Sequence, residues 1–224
     1  MCNLYSITTP QQAIAKLFGA KRDRTGNLPA MPAVFPDTAA PIVRGDEEGG
    51  RELTLARWGM PSPAFALKGR ATDPGVTNIR NTASPHWRRW LGVEHRCLVP
   101  FTSFSEYDTV DGRKVPVWFA GREERPTLAF AGLWCSWRSV RRVAEGEVTA
   151  DLYGFLTTSA NREVGAVHPK AMPVILRGPE EWDLWLGGEW GEAAALQRPL
   201  PDGALREVAR GERHDGAGEN AATP

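Results

Sequence analysis

The sequence is short of the groups that staple or metallate small proteins. Three cysteines, Cys2, Cys97 and Cys135, and four histidines are all that its 224 residues hold. The cysteines are odd in number and far apart, and no CxxC or HxxxH spacing occurs. No disulfide framework, metal site or other cofactor is therefore expected, and a reduced, cytoplasmic setting fits best. No GxGxxG or Walker-type loop is present. No apolar run approaches the length of a membrane span, and no basic segment followed by an apolar stretch opens the chain, so neither a membrane partner nor a secretory leader is expected. An excess of either charge is missing as well, with 27 basic and 27 acidic side chains. A nucleic-acid partner would need a local basic patch. Lysine is scarce, at 5 against 22 arginines. Arginine favours bidentate phosphate contacts, although an Ala/Arg/Gly/Pro-rich composition accounts for it equally well.

What is present reads mainly as strand. AAPIVR (39–44), ELTLARWG (52–59), RCLVPF (96–101), VPVWFA (115–120), TLAFAGLWCSW (127–137), VTADLYGFLTT (148–158) and AMPVIL (171–176) are rich in β-branched and aromatic residues and are separated by Gly and charge clusters. Short helices are predicted over 10–18, over 84–91 behind Ser84 and Pro85, and over 178–186, where Trp182, Trp185 and Leu186 share a face. Residues 19–38, with three prolines, and residues 60–80 read as irregular. Long helices do not alternate with the strands, which excludes a doubly wound parallel sheet. The expectation is one α+β domain over 2–210, mainly antiparallel sheet curled toward a barrel with short peripheral helices. The apolar-poor stretch 211–224 is expected to be a disordered tail.

Chemistry begins at MCNLYSITTP. Methionine in front of a small residue is removable, which leaves Cys2 with both an α-amine and a β-thiol. Such groups titrate at about 7.7–8.0 and about 8.5 when unperturbed, so both are partly nucleophilic near neutral pH. The amine condenses with an aldehyde to an imine, and the thiol then closes a five-membered thiazolidine. Acyl transfer, with the amine as base and the thiol as nucleophile, is the other option. A small residue near a chain end is the plain alternative.

Either chemistry needs partners. Glu106 follows an apolar strand beside Phe101, Phe104 and Tyr107, where a carboxyl is partly desolvated and suited to acid–base work. His168 opens a Pro-bounded loop, and imidazole suits proton shuttling near neutral pH. Asn78 and Arg80, in TNIRNTAS, offer an amide for a sugar hydroxyl and a guanidinium for a phosphate, or simply make a turn. Arg88 and Arg89 lie between Trp87 and Trp90. That alternation suits single-stranded nucleic acid, and equally a helix with tryptophans in the core and arginines in water.

Taken in order, MC, NIRNTAS, RCLVPFTSFSEYD, GLW, FLTTSAN and VHPKAMPVIL resemble the SOS-response-associated peptidase (SRAP) family, also called abasic site processing proteins. The resemblance runs from Met1 to about residue 200. It implies a SRAP-like fold and an abasic-site sensor that binds single-stranded DNA in the DNA damage response. Such a protein forms a covalent thiazolidine crosslink between its N-terminal cysteine and the ring-opened aldehyde of an abasic site, with lyase and autopeptidase activity alongside. It implies Cys2 as the nucleophile, Asn78 positioning the sugar, Arg80 on phosphate, Glu106 assisting ring opening and imine chemistry, His168 shuttling protons, Thr157 at the site and Pro36 lining the DNA near the crosslink. Trp58, Trp87 or Trp90 would stack on bases. The partner would be single-stranded DNA containing abasic sites, met by a monomer that is nucleoid-associated when bound.

Two departures stand out. Many members read MCGRF where this chain reads MCNLY, so Leu4 replaces a DNA-contacting arginine. The segment after the histidine commonly reads H-x-R-M-P, and here HPKAMP is one residue longer. The competing function is an N-terminal-nucleophile amidohydrolase or peptidase using the same Cys2. It would require a four-layer fold with long amphipathic helices.

Overall fold

Fourteen strands built from these β-favouring runs appear in the computed structural model, which describes residues 2–216. In chain order they are β1 (Tyr5–Ile7), β2 (Arg22–Asp23), β3 (Met31–Val34), β4 (Ala39–Gly45), β5 (Arg51–Trp58), β6 (Asn78–Ile79), β7 (Arg96–Phe101), β8 (Ser103–Val110), β9 (Arg113–Ala120), β10 (Leu128–Val140), β11 (Glu147–Thr158), β12 (Met172–Pro173), β13 (Ile175–Leu176) and β14 (Arg206–Arg210). The helices are short: α1 (Gln11–Phe18), α2 (Pro85–Arg88), α3 (Arg162–Gly165), α4 (Pro179–Gly187) and α5 (Trp190–Ala193).

The order β11-β10-β7-β4-β5 runs antiparallel, and a parallel contact of β5 with β11 (Arg57 opposite Leu152, Trp58 opposite Tyr153) closes the ring. The result is a five-stranded barrel, as the predicted curl requires, and closure removes the sheet edges. A second sheet, in the order β14-β9-β8-β1-β3, lies against it. Aromatic rings fill the space between. Phe130 stacks on Phe101 at 3.8 Å between centroids and meets Tyr5, Phe104 and Phe155. Each such buried ring contributes about 1.5–3 kcal/mol through the water it sheds. Helices pack outside. The i, i+4 pair Ile14 and Phe18 is the buried face of α1, and the Phe18 ring meets Trp182 of α4 at 4.6 Å.

The local expectations are corrected at four places. Residues 19–38 are not wholly irregular. They contain β2 and β3, and β3 tolerates Pro32 because it is the outer strand of its sheet. The helix predicted over 84–91 is only Pro85–Arg88. β8 was not foreseen as a strand because Ser103, Phe104, Ser105 and Glu106 are all buried, which erases the usual inside–outside alternation. Of the segment expected to be a tail, residues 211–216 run against the second sheet. Trp118 Nε1 donates to Glu212 O at 2.9 Å, and Ser103 Oγ to Asp215 Oδ2 at 2.6 Å. Residues 217–224 of that segment lie outside the described residues.

Candidate functional site

Strands β1 and β8 bring the two ends of the chemistry together. Ser105 N donates to Leu4 O at 2.8 Å, which sets Cys2 and Leu4 beside the residue preceding Glu106. From the other side, β6 pairs in parallel with β11, Asn78 opposite Phe155. Asn78 Nδ2 donates to Cys2 O at 2.8 Å and to Thr77 Oγ1 at 2.8 Å, and Thr77 Oγ1 donates to Asn3 Oδ1 at 3.1 Å. Asn78 Oδ1 has no hydrogen-bond partner among the described residues. Asn78 therefore holds the Cys2 backbone and keeps an acceptor for something else.

Cys2 is fully buried, and its thiol donates to Leu4 O at 3.4 Å. Burial first, and the Glu106 carboxylate second, push the thiol well above its ordinary range. A sulfur so placed stays protonated in the resting state. Glu106 is also buried, and burial raises its carboxyl above the ordinary range, while nearby positive charge, His168 included, pulls the other way. His168 Nδ1 lies 3.8 Å from Glu106 Oε2 and 3.0 Å from Ala171 O. A carbonyl only accepts, so Nδ1 carries the hydrogen in that contact. The end of the HPKA loop thus supplies the carbonyl that orients the imidazole. Glu106, Tyr107, Lys114 and His168 line a cleft of about 430 Å³. The larger cavity, about 800 Å³ beside Arg44 and Trp134, contains none of these groups.

The expected DNA-facing residues divide. Pro36 is exposed, behind Phe35, and Arg80, Arg88 and Arg89 are exposed with no ion pair among the described residues. Trp58 and Trp87 are corrected. Trp58 is fully buried against Tyr5, Tyr153 and Phe155, and its Nε1 donates to Thr77 O at 3.3 Å. Trp87 and Trp90 are buried and packed on His86. Buried in this way, these rings offer no open face on which a base could stack. Thr157 is likewise buried, its hydroxyl aimed at Ile79 O at 3.5 Å. It steadies β6 and is closed to solvent. Leu4 is fully buried. Arg88 and Arg89 are exposed, with the Arg89 guanidinium over the Trp90 ring at 4.6 Å.

Sequence reasoning passed over three contributors. Phe65 is 76% exposed in the loop between β5 and β6, whose base is closed by the Met60–Val76 bridge just before Asn78. Asp37, next to Pro36, binds three arginines: Arg57 at 2.6 and 2.8 Å, Arg141 at 3.2 Å and Arg142 at 2.9 Å. Burial alone would raise the Asp37 carboxyl, but the Arg57 and Arg141 hydrogen bonds hold it below the usual range. Arg141 also donates to Gly59 O at 3.1 Å and passes so close to Gly59 (φ +138) and Gly75 (φ +76) that a Cβ on either would meet its guanidinium at 2.3–2.4 Å. The ion cluster therefore locks the loop carrying Phe65 to the turn carrying Pro36. The third is Gln197, whose Nε2 donates to Arg80 O at 2.8 Å and Thr157 O at 3.0 Å. No motif in the sequence announces any of the three.

A sequence model of the SOS response associated peptidase (SRAP) family matches residues 1–209. The chain belongs to the SRAP family. Membership makes it a DNA-damage-associated SRAP protein. Solved structures agree in fold. A crystal structure from Bordetella bronchiseptica is 26% identical, with a TM-score of 0.69, covering 94% of this chain and 98% of that one. One from Bacteroides thetaiotaomicron is 21% identical, TM-score 0.69, covering 92% and 90%. A phage-related protein of B. bronchiseptica is 23% identical, TM-score 0.66, covering 92% of each. No curated protein matches the chain. Among the described residues of this SRAP protein no helix is long and apolar enough to cross a membrane.

Proposed function

We propose that this SRAP protein binds single-stranded DNA containing abasic sites and links Cys2 to the ring-opened sugar as a thiazolidine. The reading is supported by one observation: residues far apart in sequence form a connected set, in which Asn78 holds the Cys2 carbonyl, the buried Cys2 thiol lies within reach of the Glu106 charge, and Glu106 lines a cleft with His168. Removal of Met1 frees the Cys2 amine. Glu106, whose carboxyl burial raises above its ordinary range, gives its proton to the ring oxygen as the C1–O bond breaks, and His168 takes the proton of the anomeric hydroxyl. The amine nitrogen then bonds to the aldehyde carbon. The carbinolamine hydroxyl leaves as water with a proton returned by His168 or Glu106, leaving an imine. Sulfur adds to the imine carbon, and the thiol proton ends on nitrogen. The sum is aldehyde plus aminothiol giving thiazolidine plus water. A thiol held protonated by burial supports this order, amine first and sulfur second. The open Asn78 acceptor supports a sugar hydroxyl there, and Arg80 and Pro36 flank the strand. On this reading the protein acts as a monomer in the cytoplasm, nucleoid-associated when bound, and lyase scission and release of its own Met1 are side activities of the same groups.

Intact mass tests this directly. The wild-type chain should lose Met1 and gain the mass of an abasic single strand less one water. Cys2→Ser and Cys2→Ala should give no heat-stable adduct, and an adduct surviving either change would end the proposal. Turnover of glutamine or an acylamide, or cutting of peptides other than its own N-terminus, would favour the amidohydrolase or peptidase alternative. That alternative lacks support from the helices, none longer than nine residues among those described.

A further inference from the structure

A separate cleft of about 610 Å³ lies among Thr82, Arg88, Glu94, Arg96, Glu189 and Trp190. Its floor is Arg96, which is 1% exposed and makes no ion pair among the described residues. Its Nε donates to Leu91 O at 2.8 Å, and Nη1 donates to Trp185 O at 3.1 Å and Gly188 O at 2.7 Å. No hydrogen bond is made by Nη2 among the described residues. The rings of Trp185 and Trp190 lie 5.5 and 5.4 Å from the guanidinium carbon. Carbonyls and aromatic faces solvate a cation without neutralising it. Arg88 adds a second, exposed guanidinium at the rim. Glu94 and Glu189, also exposed at the rim, act on the Arg96 charge at longer range and equal the two arginines of the cleft in number. Such a site fits one compact anion with several acceptor oxygens and would not hold a long run of them.

Its position identifies the anion. Thr82 Oγ1 donates to Gln197 Oε1 at 3.1 Å, and the same Gln197 side chain holds Arg80 O and Thr157 O through Nε2. One amide thus joins the cleft wall to the segment carrying Asn78 and Arg80. We propose that the Thr82–Arg88–Arg96 cleft is a second phosphate subsite, which takes a phosphodiester of the bound strand beyond the one at Arg80. DNA as the source of that phosphate rests on the function proposed above, whereas the cleft's preference for phosphate does not.

The test is a position scan on the full chain. Single strands carry one aldehyde-free abasic analogue and one neutral methylphosphonate, moved one linkage at a time, and affinity is read by fluorescence anisotropy. Wild type should lose about three- to tenfold at two separated linkages, one of them the Arg80 contact. Arg88→Ala should become insensitive at the outer linkage only, with a salt slope shallower by about 0.7. Because Arg96 holds three carbonyls, Arg96→Ala is expected to cost folding. The rim variants Arg88→Ala and Thr82→Ala therefore carry the test. An unchanged scan in both overturns the proposal. Binding of pyrophosphate with no outer linkage in the scan gives the cleft to a small phosphate and also overturns it. If the wild type forms no adduct with an abasic strand while the outer linkage stays sensitive, the crosslinking reading fails and the subsite stands.

Discussion

Glu106 meets two demands that ordinarily conflict. Burial raises its carboxyl in the direction an acid needs, and the same burial makes its ionised form costly to the fold. Both consequences are measurable as pH profiles. The folded chain binds this proton more tightly than the unfolded chain, so the group favours the folded state below the ordinary glutamate range. Stability then falls as pH rises from that range through the raised value. For the reaction, Glu106 must be protonated while the amine must not be. Adduct formation should therefore rise with pH as amine is freed and fall again as Glu106 ionises, with its maximum on the acid side of the amine's titration. Glu106→Gln should slow the adduct about 10²–10⁴-fold and remove the falling limb. It should also flatten the dependence of Tm on pH. An unchanged falling limb in the variant would assign the acid to another group. Cys2 and Glu106 were legible from sequence because each is chemically odd for its place: a thiol behind the first methionine and a carboxyl amid aromatics. The Ala171 carbonyl that fixes the His168 hydrogen was not legible, since a backbone atom leaves no mark on composition.

At the scale of elements, the long barrel strands were readable from their β-branched and aromatic runs, and those runs match β7 residue for residue. Short edge strands and β8 were not, because pairing partners and burial on both faces decide them. The same blindness misassigned the tryptophans. An aromatic beside arginine reads alike whether the ring points to DNA or to the core, and Trp58, Trp87 and Trp90 all point to the core. Two of the large apolar side chains left in water among the described residues are Phe35, at the Pro36 turn, and Phe65, in the 3₁₀ turn Ala64–Leu67. The Asp37–Arg57–Arg141 cluster fixes both segments against the barrel. A fixed, exposed ring is what a base can stack on, at about 1–3 kcal/mol per base. Phe65→Ala should therefore weaken single-strand binding about five- to a hundredfold, the fold-change equivalent of that energy, and leave Tm within about a degree, because the ring touches little of the core. Trp58→Phe should do the reverse, lowering Tm with little effect on affinity for any chain that still folds. Anisotropy and thermal melts on the two variants distinguish a stacking surface from a core.

The whole molecule carries no net charge, so whatever holds a polyanion must come from how the arginines are distributed. Most are spent on carboxylates: Arg44 on Glu52 and Asp151, Arg57 and Arg142 on Asp37, Arg138 on Glu147, Arg210 on Asp108 and Glu207. Arg80, Arg88 and Arg89 are exposed without such partners among the described residues, and all three lie within twelve residues of Asn78. A neutral protein with a short line of unpaired guanidiniums makes few phosphate contacts, and the salt dependence of binding counts them. Each contact to a single strand contributes about −0.7 to the slope of log K against log salt. The wild-type slope should be about −1.5 to −3, much shallower than that of a strongly basic DNA-binding protein. Arg80→Ala should reduce it by about 0.7 and weaken binding uniformly across sequences, since phosphate contacts carry no base information. At saturating abasic strand the same variant should still form the adduct at near wild-type rate, because Arg80 holds the strand and takes no part in proton transfer or bond formation at Cys2. A loss of maximal rate with the slope unchanged would move Arg80 from the strand to the reacting sugar, and with it the assignment of which side of Asn78 the DNA follows.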